Sequence, residues 1–200
     1  MKKIIVLGGA FNPPTSAHFS LAEQIVNEIS DVEKVIFMPV NSNYKKREKP
    51  IDNNHRYNML QSVCKDNPMF EVSRLELDYN RVLTTIETLR ILKEQYADYE
   101  ILFATGTDNL QEFETWNNCE DILKEFKLLV FERGNDSFED IVAESEFLEN
   151  NQNSLIKLQN CINTNLSSTY VRECLRNGKS IKYIVPDSVI EYIAKNNLYK

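Results

Sequence analysis

The residues best suited to chemistry in this chain lie near its start. Residues 4–7 predict a buried strand that leads into Gly8-Gly9, where the missing Cβ atoms let the backbone approach a ligand closely. A proline-containing loop follows, and Thr15 and His18 then stand at the beginning of a predicted helix. Because the N–H groups and the dipole of a helix N-terminus attract phosphate, the segment predicts a site for nucleotide phosphates.

Two common phosphate-binding motifs do not account for this segment. The dinucleotide fingerprint needs three glycines in the spacing G-x-G-x-x-G, and the P-loop needs a Gly-Lys-Ser/Thr ending; neither is present here. A structural alternative is an ordinary strand–turn–helix corner, in which Ser16 caps the helix and His18 forms only a local hydrogen bond.

A second cluster of anion-binding side chains lies near the other end of the chain. Ser167, Ser168 and Thr169 precede a predicted helix over 170–175, where hydroxyls can cap the helix and also donate to phosphate. Arg172 follows Ser168 by four residues and therefore lies on the same helix face. No Glu or Gln stands three residues after either serine, so a capping box does not explain the cluster, and simple capping is the structural alternative.

Residues 41–54 read as an irregular loop that contains the basic run 45–49. A solvated loop is the default interpretation, and the functional one is a mobile basic flap that closes over a triphosphate. Gly106-Thr107-Asp108 follows another apolar run and is a further candidate for contact with a nucleotide.

The elements that must position these residues follow from hydrophobic patterning. Five apolar runs predict strands, at residues 4–7, 35–39, 70–73, 101–104 and 128–131, and helical spacing recurs between them. This alternation predicts an α/β fold with a doubly wound parallel sheet covered on both faces. Ligands bind such sheets beyond the carboxyl ends of the strands, which is where Gly8-Gly9 and Gly106 fall.

Length and composition predict one domain over residues 1–200, with 165–200 as a helical C-terminal portion. The 200 residues are 42% hydrophobic, which suffices for a sheet with flanking helices. The net charge of −7 argues against nucleic acids and anionic membranes as partners. We expect neither a signal peptide nor a membrane span. The four cysteines are scattered without a C-x-x-C pair, so they indicate no metal site and fit a reducing cytoplasm.

Together, the two phosphate-binding segments resemble the signature motifs of the nucleotidylyltransferase superfamily. The motif Gly-x-Phe-x-Pro-x-(His/Thr)-x-Gly-His is matched in register by Gly9, Phe11, Pro13, Thr15 and His18, with Ala17 at the usual second glycine. The motif (Ile/Leu)-Ser-Ser-Thr-x-(Ile/Val)-Arg is matched by residues 166–172. Nearly end to end, through segments such as 35–39, 76–77, 85–89, 106–110 and 185–199, the chain is similar to the bacterial nicotinate-nucleotide adenylyltransferases. The resemblance implies a Rossmann-like nucleotidylyltransferase fold.

The implied reaction joins ATP and nicotinate mononucleotide, giving nicotinate adenine dinucleotide and pyrophosphate. The attacking phosphate oxygen is already ionised, so in-line positioning and charge stabilisation can supply the catalysis. By the same resemblance, His18 donates to the α-phosphate, while Lys46 and Arg172 hold the β- and γ-phosphates. Mg²⁺ would bridge phosphate oxygens and water, with no protein ligand named. The remaining ATP contacts implied on the phosphate side are Gly9, Phe11, Thr15, Ser168 and Thr169.

The resemblance also implies the nucleoside and acceptor contacts. Gly106 would contact ATP, the carboxylate of Asp108 would meet ribose hydroxyls, and Arg133 would lie near the adenine. The backbone amide of Thr85 would meet the nicotinate carboxylate, and Trp116 would stack on the pyridine ring. The structural alternatives are a helix cap for Asp108, a surface ion pair for Arg133 and a core position for Trp116.

The acceptor side departs from the family pattern more than the phosphate side. The residues before the basic loop position read Asn43-Tyr44-Lys45 instead of Pro-Pro-His, and Leu83-Thr84 replaces Ser-Tyr. Another phosphorylated acceptor, such as nicotinamide mononucleotide or a phosphopantetheine-like compound, is therefore one alternative, and a nucleotide-binding regulatory module without turnover is another. The sequence leaves the oligomeric state open, with a homo-oligomer as one option.

Overall fold

The computed structural model describes residues 1–43, 50–162 and 164–200. In this part of the chain, six strands form one sheet in the order β3-β2-β1-β4-β5-β6, and every neighbouring pair is parallel. The strands are β1 (Lys3–Gly9), β2 (Val32–Pro39), β3 (Phe70–Val72), β4 (Glu100–Gly106), β5 (Lys127–Phe131) and β6 (Leu155–Lys157). The predicted α/β fold with a doubly wound parallel sheet is confirmed.

Helices connect the strands and cover the sheet. They are α1 (Ser16–Glu28), α2 (Asn53–Cys64), α3 (Leu75–Asp78), α4 (Thr85–Gln95), α5 (Thr107–Leu110), α6 (Cys119–Glu125), α7 (Phe138–Glu144), α8 (Glu146–Asn150), α9 (Ser168–Arg176) and α10 (Asp187–Lys195). Within the described ranges, no helix has the length and apolar character needed to cross a membrane.

The predicted strands are confirmed, and β6 is an addition to them. This edge strand has only three residues and pairs with β5 alone, from Leu128 opposite Leu155 to Val130 opposite Lys157. Three residues are too few to display a strand period, so the apolar pattern around them does not distinguish a strand from a loop.

Alternate residues of β1 are buried on opposite faces of the sheet. Ile4 and Val6 pack with α4 and α6, whereas Ile5 and Leu7 pack with α1 and α2. All four side chains are at most 3% exposed. This two-sided burial explains why the strand reads as a continuous apolar run.

The C-terminal helices form a third apolar cluster, against α2. Val171 of α9 and Val189 and Ile193 of α10 pack around Met59, which is fully buried. We infer that the chain forms a single domain, since the 165–200 portion shares this core with a helix of the sheet region.

The strand order places the reversal point between β1 and β4. β1 pairs with β2 on one side and β4 on the other, so the connections leave its edges in opposite directions. A crevice opens at such a point beyond the carboxyl ends of the strands. These ends are Gly9 and Gly106.

Candidate active site

A cavity of about 1300 Å³ opens beyond the ends of β1 and β4. Its walls come from the ends of β1, β4 and β5, the starts of α1, α4 and α9, and the residues around Trp116. The structure therefore brings together residues from both predicted phosphate motifs and from the predicted acceptor side. The predicted site residues found in its walls are Gly9, Phe11, His18, Thr85, Gly106, Trp116, Arg133, Ser168, Thr169 and Arg172.

The other predicted site residues lie elsewhere. Thr15 is completely buried beside the cavity, and Asp108 lies one residue from Asn109, which does line it. Lys46 falls outside the described residues. The substrate roles predicted for these three residues stay predictions.

The loop after β1 is shaped by Gly9 and Phe11. A Cβ at position 9 would lie 3.1 Å from the Phe11 ring, closer than ordinary van der Waals contact, so the glycine allows this approach without a shift of the ring. Phe11 has a φ of 47°, which is uncommon for a residue with a side chain. Its ring is 2% exposed and lies edge-on to the His18 ring, with the centroids 5.0 Å apart. The loop thus holds an aromatic ring against the imidazole.

Thr15 fixes the orientation of the His18 ring. Thr15 is the N-cap of α1, and its backbone N–H donates to Nδ1 of His18 at 2.9 Å, while its hydroxyl lies 2.8 Å from the same nitrogen. Because a backbone N–H can only donate, Nδ1 must accept, and the ring hydrogen is carried by Nε2. The alternative that Ser16 caps the helix is wrong, since the cap is a box formed by Thr15 and His18. His18 can therefore present one N–H donor.

The second phosphate motif docks onto the first. The Ser167 hydroxyl caps α9 by accepting from the amide of Tyr170 at 3.2 Å. The Ser168 hydroxyl donates to the carbonyl oxygen of Pro13 at 2.7 Å, and Nη1 of Arg172 donates to that of Asn12 at 2.8 Å. The start of α9 is thus tied to the loop that precedes His18.

Arg172 is buried, with 9% of its surface exposed. Besides the Asn12 carbonyl, its guanidinium reaches the Thr169 hydroxyl, with 3.2 Å between Nη2 and Oγ1. A buried arginine held by oxygens of this kind places positive charge in the cavity wall at a defined position. The arrangement suits an anion next to His18.

Asp108 and Arg133 form an ion pair at the other rim. Nη1 of Arg133 lies 3.2 Å from Oδ2 of Asp108, and each side chain is nearly half exposed. Such a pair adds little stability, because solvent screens it. Gly106, not Asp108, is the N-cap of α5, so the helix-cap alternative for Asp108 is wrong. A Cβ at Gly106 would meet Oδ1 of Asp108, but this oxygen ends a flexible, nearly half-exposed side chain that can move aside.

The predicted acceptor side combines a helix start with an aromatic ring. Thr85 is the first residue of α4, and the preceding Thr84 caps that helix in a capping box. The Thr84 side chain accepts from the backbone amide of Glu87, and the Thr84 backbone N–H donates to Oε2 of Glu87 at 2.8 Å. Trp116 is half-buried and packs edge-on against Phe103, with the ring centroids 6.0 Å apart. The side chain is both a packing element and part of the cavity wall, so the core alternative and the stacking role are compatible.

Glu76 is a buried residue of the cavity wall, to which the sequence motifs assign no role of its own. It is 9% exposed, and one carboxyl oxygen accepts the Thr88 hydroxyl at 2.8 Å. Burial raises the pKa of this carboxyl to about 7, and the hydrogen bond from Thr88 lowers it only in part. The available signal was an acidic residue between two leucines, Leu75 and Leu77.

Arg56 is completely buried and supports the loop from beneath. Its Nη1 donates to the carbonyl oxygen of Ala10 at 2.9 Å, and its Nη2 donates to Oδ1 of Asn53 at 2.6 Å. Burial lowers the pKa of the guanidinium.

In the described ranges, no three His, Cys, Asp or Glu side chains are grouped so as to hold a metal ion.

Comparisons with known proteins agree with this geometry. The model of the cytidylyltransferase-like family matches residues 6–174. A probable nicotinate-nucleotide adenylyltransferase of Clostridium botulinum is 33% identical over 100% of this chain and 99% of the relative. One of Clostridium novyi, with the same name, is 32% identical over 100% of both chains.

Solved structures show the same fold. Nicotinic acid mononucleotide adenylyltransferase of Plasmodium falciparum has been solved in complexes with APC and with NaAD. Each superimposes with a TM-score of 0.77 at 22% identity, covering 100% of this chain and 98% of that chain. The family match and the full-length relatives show that the chain belongs to the cytidylyltransferase-like family of nucleotidyltransferases, among the nicotinate-nucleotide adenylyltransferases.

Proposed function

We propose that this protein transfers the adenylyl group of ATP to nicotinate mononucleotide, in a step of NAD biosynthesis. The products are nicotinate adenine dinucleotide and pyrophosphate. The observation that carries the proposal is that one cavity joins an anion-binding wall to a wall suited to a flat ring. The first contains His18 and Arg172, and the second contains Thr85 and Trp116.

The size of the cavity supports two nucleotides. Its volume of about 1300 Å³ exceeds the ~300–1,000 Å³ typical of pockets for one small ligand. ATP would place its phosphates at the starts of α1 and α9, and the mononucleotide would place its ring beside Trp116. Both reacting phosphates would then meet near His18.

The chemical step needs positioning more than proton transfer. An oxygen of the mononucleotide phosphate attacks the α-phosphorus of ATP and forms the new P–O bond. The bond from that phosphorus to the bridging oxygen breaks in line, and pyrophosphate leaves with the electron pair. Since the second pKa of a phosphate monoester is about 6, the nucleophile is largely ionised at neutral pH and needs no catalytic base.

The chain supplies fixed donors where charge develops. His18 would donate its Nε2 hydrogen to a non-bridging oxygen of the α-phosphate, in the orientation that Thr15 sets. Arg172 would stabilise the β- and γ-phosphates by charge, with Ser168 and Thr169 beside it at the start of α9. Lys46 is proposed to act with them. Mg²⁺ would arrive as Mg–ATP, held by phosphate oxygens.

The nucleoside and acceptor contacts are proposals of the same kind. Asp108 would accept ribose hydroxyls, which requires its carboxylate to exchange part of its contact with Arg133. That exchange costs little because the ion pair is solvent-exposed. The freed guanidinium would then lie beside the adenine, next to Gly106.

The acceptor is the finer part of the proposal. The relatives' names support nicotinate mononucleotide, as does the NaAD bound by the Plasmodium falciparum enzyme. Leu83 and Thr84 are not aromatic, so neither can stack on the pyridine ring. The Thr84 side chain caps α4, and Leu83 is 6% exposed. The ring contact therefore depends on Trp116.

We place the reaction in the cytoplasm. Assembly into a homo-oligomer stays a prediction that sedimentation velocity can test.

A pyrophosphate-release assay tests the proposal. Mg–ATP is supplied with nicotinate mononucleotide, nicotinamide mononucleotide or phosphopantetheine, and mass spectrometry identifies the product. Release with nicotinate mononucleotide alone supports the proposal. Release with another acceptor retains the roles at the phosphates and refutes the pyridine site. A folded protein that binds Mg–ATP without releasing pyrophosphate in any mixture would instead be a nucleotide-binding regulatory module.

A further inference from the structure

The last residues of the chain turn back toward the phosphate-binding loop. After α10 ends at Lys195, Asn197 and Tyr199 adopt φ values of 52° and 62°. This left-handed region is uncommon for residues with side chains and persists where surrounding contacts determine the conformation. The amide of Leu198 donates to the carbonyl oxygen of Ile193 at 3.1 Å, which closes the turn.

The turn delivers the hydroxyl of Tyr199 to Asn12. Tyr199 donates to Oδ1 of Asn12 at 2.9 Å, and the amide of Ile51 donates to the same oxygen at 3.3 Å. Asn12 is 5% exposed and lines the cavity. Burial raises the pKa of Tyr199, against the opposing effect of the two arginines beside it, so its hydroxyl stays a donor. Two donors therefore fix the plane of the Asn12 carboxamide.

Backbone carbonyl oxygens of residues 10–12 accept hydrogen bonds from both buried arginines, Arg56 and Arg172. The backbone oxygen of Asn12 accepts Nη1 of Arg172 at 2.8 Å. Two residues earlier, the carbonyl oxygen of Ala10 accepts Nη1 of Arg56, whose Nε donates to the carbonyl oxygen of Ile51 at 3.1 Å. A change in the backbone conformation of Asn12 would therefore shift its carbonyl oxygen, which is the acceptor that holds Arg172 in the cavity wall.

We propose that Tyr199, the next-to-last residue, is a positioning residue of the active site. Its hydroxyl fixes Asn12, and Asn12 in turn fixes Arg172 and the loop that leads to Thr15 and His18. The proposal rests on the proposed function in treating the cavity as the Mg–ATP site. A tail that only added stability would affect unfolding and leave the properties of the folded enzyme unchanged.

Tyr199→Phe removes the hydroxyl and keeps the ring. The matched control is Tyr192→Phe. Tyr192 lies in the same C-terminal portion, and its hydroxyl is likewise hydrogen-bonded to a distant segment, 3.0 Å from Nδ1 of His55 and 3.1 Å from Nδ2 of Asn58. For each variant, thermal unfolding, Mg–ATP affinity by calorimetry, and kcat and KM for both substrates are measured.

We expect Tyr199→Phe to weaken Mg–ATP binding and to lower kcat by about fivefold each, the factor typical of one neutral hydrogen bond. KM for the mononucleotide and the melting temperature should match those of Tyr192→Phe. Values of Mg–ATP affinity and kcat within about twofold of the unmodified protein would overturn the proposal, since one hydrogen bond is worth more than that.

A double-mutant cycle with Asn12→Ala tests whether Tyr199 acts through Asn12. If it does, adding Tyr199→Phe to Asn12→Ala causes no further loss of Mg–ATP affinity. Additive losses would refute this route. Calorimetry with Mg–ATP alone decides the role of Tyr199 even if no acceptor yields pyrophosphate, which is the result that would refute the proposed function.

Discussion

Replacing Glu76 by glutamine removes a buried ionisable group and keeps an oxygen that can accept the Thr88 hydroxyl. In the folded protein, the pKa of this carboxyl is raised from 4.5 to about 7, chiefly by burial. The folded chain therefore binds the proton more tightly than the unfolded chain does. Between these two pKa values the folded state carries more protons, so the free energy of unfolding falls as pH rises and levels off above about 7.

The magnitude follows from the two pKa values. One pH unit between them corresponds to ~1.4 kcal/mol, so the difference between 4.5 and about 7 corresponds to a loss of about 3 kcal/mol on going from acidic to alkaline conditions. The Glu76→Gln variant does not pay this ionisation cost. We expect it to match the unmodified protein at about pH 4, below the pKa of the unfolded chain, and to exceed its free energy of unfolding by up to about 3 kcal/mol at about pH 8.

Urea unfolding at the two pH values measures the effect. All other carboxyl groups contribute equally to the two proteins, so the difference between them isolates Glu76. Glu94→Gln serves as the control, because Glu94 is an exposed carboxylate on the same helix that Thr88 belongs to. A difference between Glu76→Gln and the unmodified protein that is the same at both pH values would refute the reasoning, as would a pH-dependent change of equal size in Glu94→Gln.

Three further substitutions test the cavity. His18→Ala should lower kcat by a factor of about 10²–10³, the cost of losing one preorganised donor. The control is His55→Ala, at the only other histidine in the chain, which should leave kcat unchanged. Equal losses in the two variants would contradict the role of His18. Trp116→Ala should raise KM for the mononucleotide by about tenfold or more through lost stacking and leave Mg–ATP affinity unchanged, as steady-state kinetics and calorimetry can show. Gly9→Ala places a Cβ 3.1 Å from the Phe11 ring, so the ring must shift; we expect a loss of about 1–3 kcal/mol in unfolding free energy and a lower kcat, and a normal kcat would show that the loop tolerates the shift.

Local pattern was sufficient for the elements that carry the phosphate motifs. β1 and α1 were predicted because a continuous apolar run and a helical repeat each span several residues, and both signals are short-range. The same signals predicted that Gly9 and Gly106 end parallel strands, and the sheet topology then showed that these strands are neighbours. They failed for β6, whose three residues are too short to show a period.

Capping was harder to predict than helix position. The known box pairs Ser or Thr with Glu or Gln three residues later, as Thr84 and Glu87 do. At α1 the partner of Thr15 is an imidazole, so the sequence rule pointed to neither the cap nor the orientation of His18. At α5, the alternative interpretation made Asp108 the N-cap, whereas the structure has Gly106 there.

The sequence by itself determined the family and the alternation of strands and helices, and most of the site residues it predicted do line the cavity. Only the tertiary structure decided how those residues hold one another. Arg172 meets the carbonyl of Asn12 across 160 residues of chain, and Tyr199 meets its side chain across 187. Periodicity and motif spacing describe neighbours within a few residues, whereas a hydrogen bond between distant segments depends on distances that exist only after the whole core has packed.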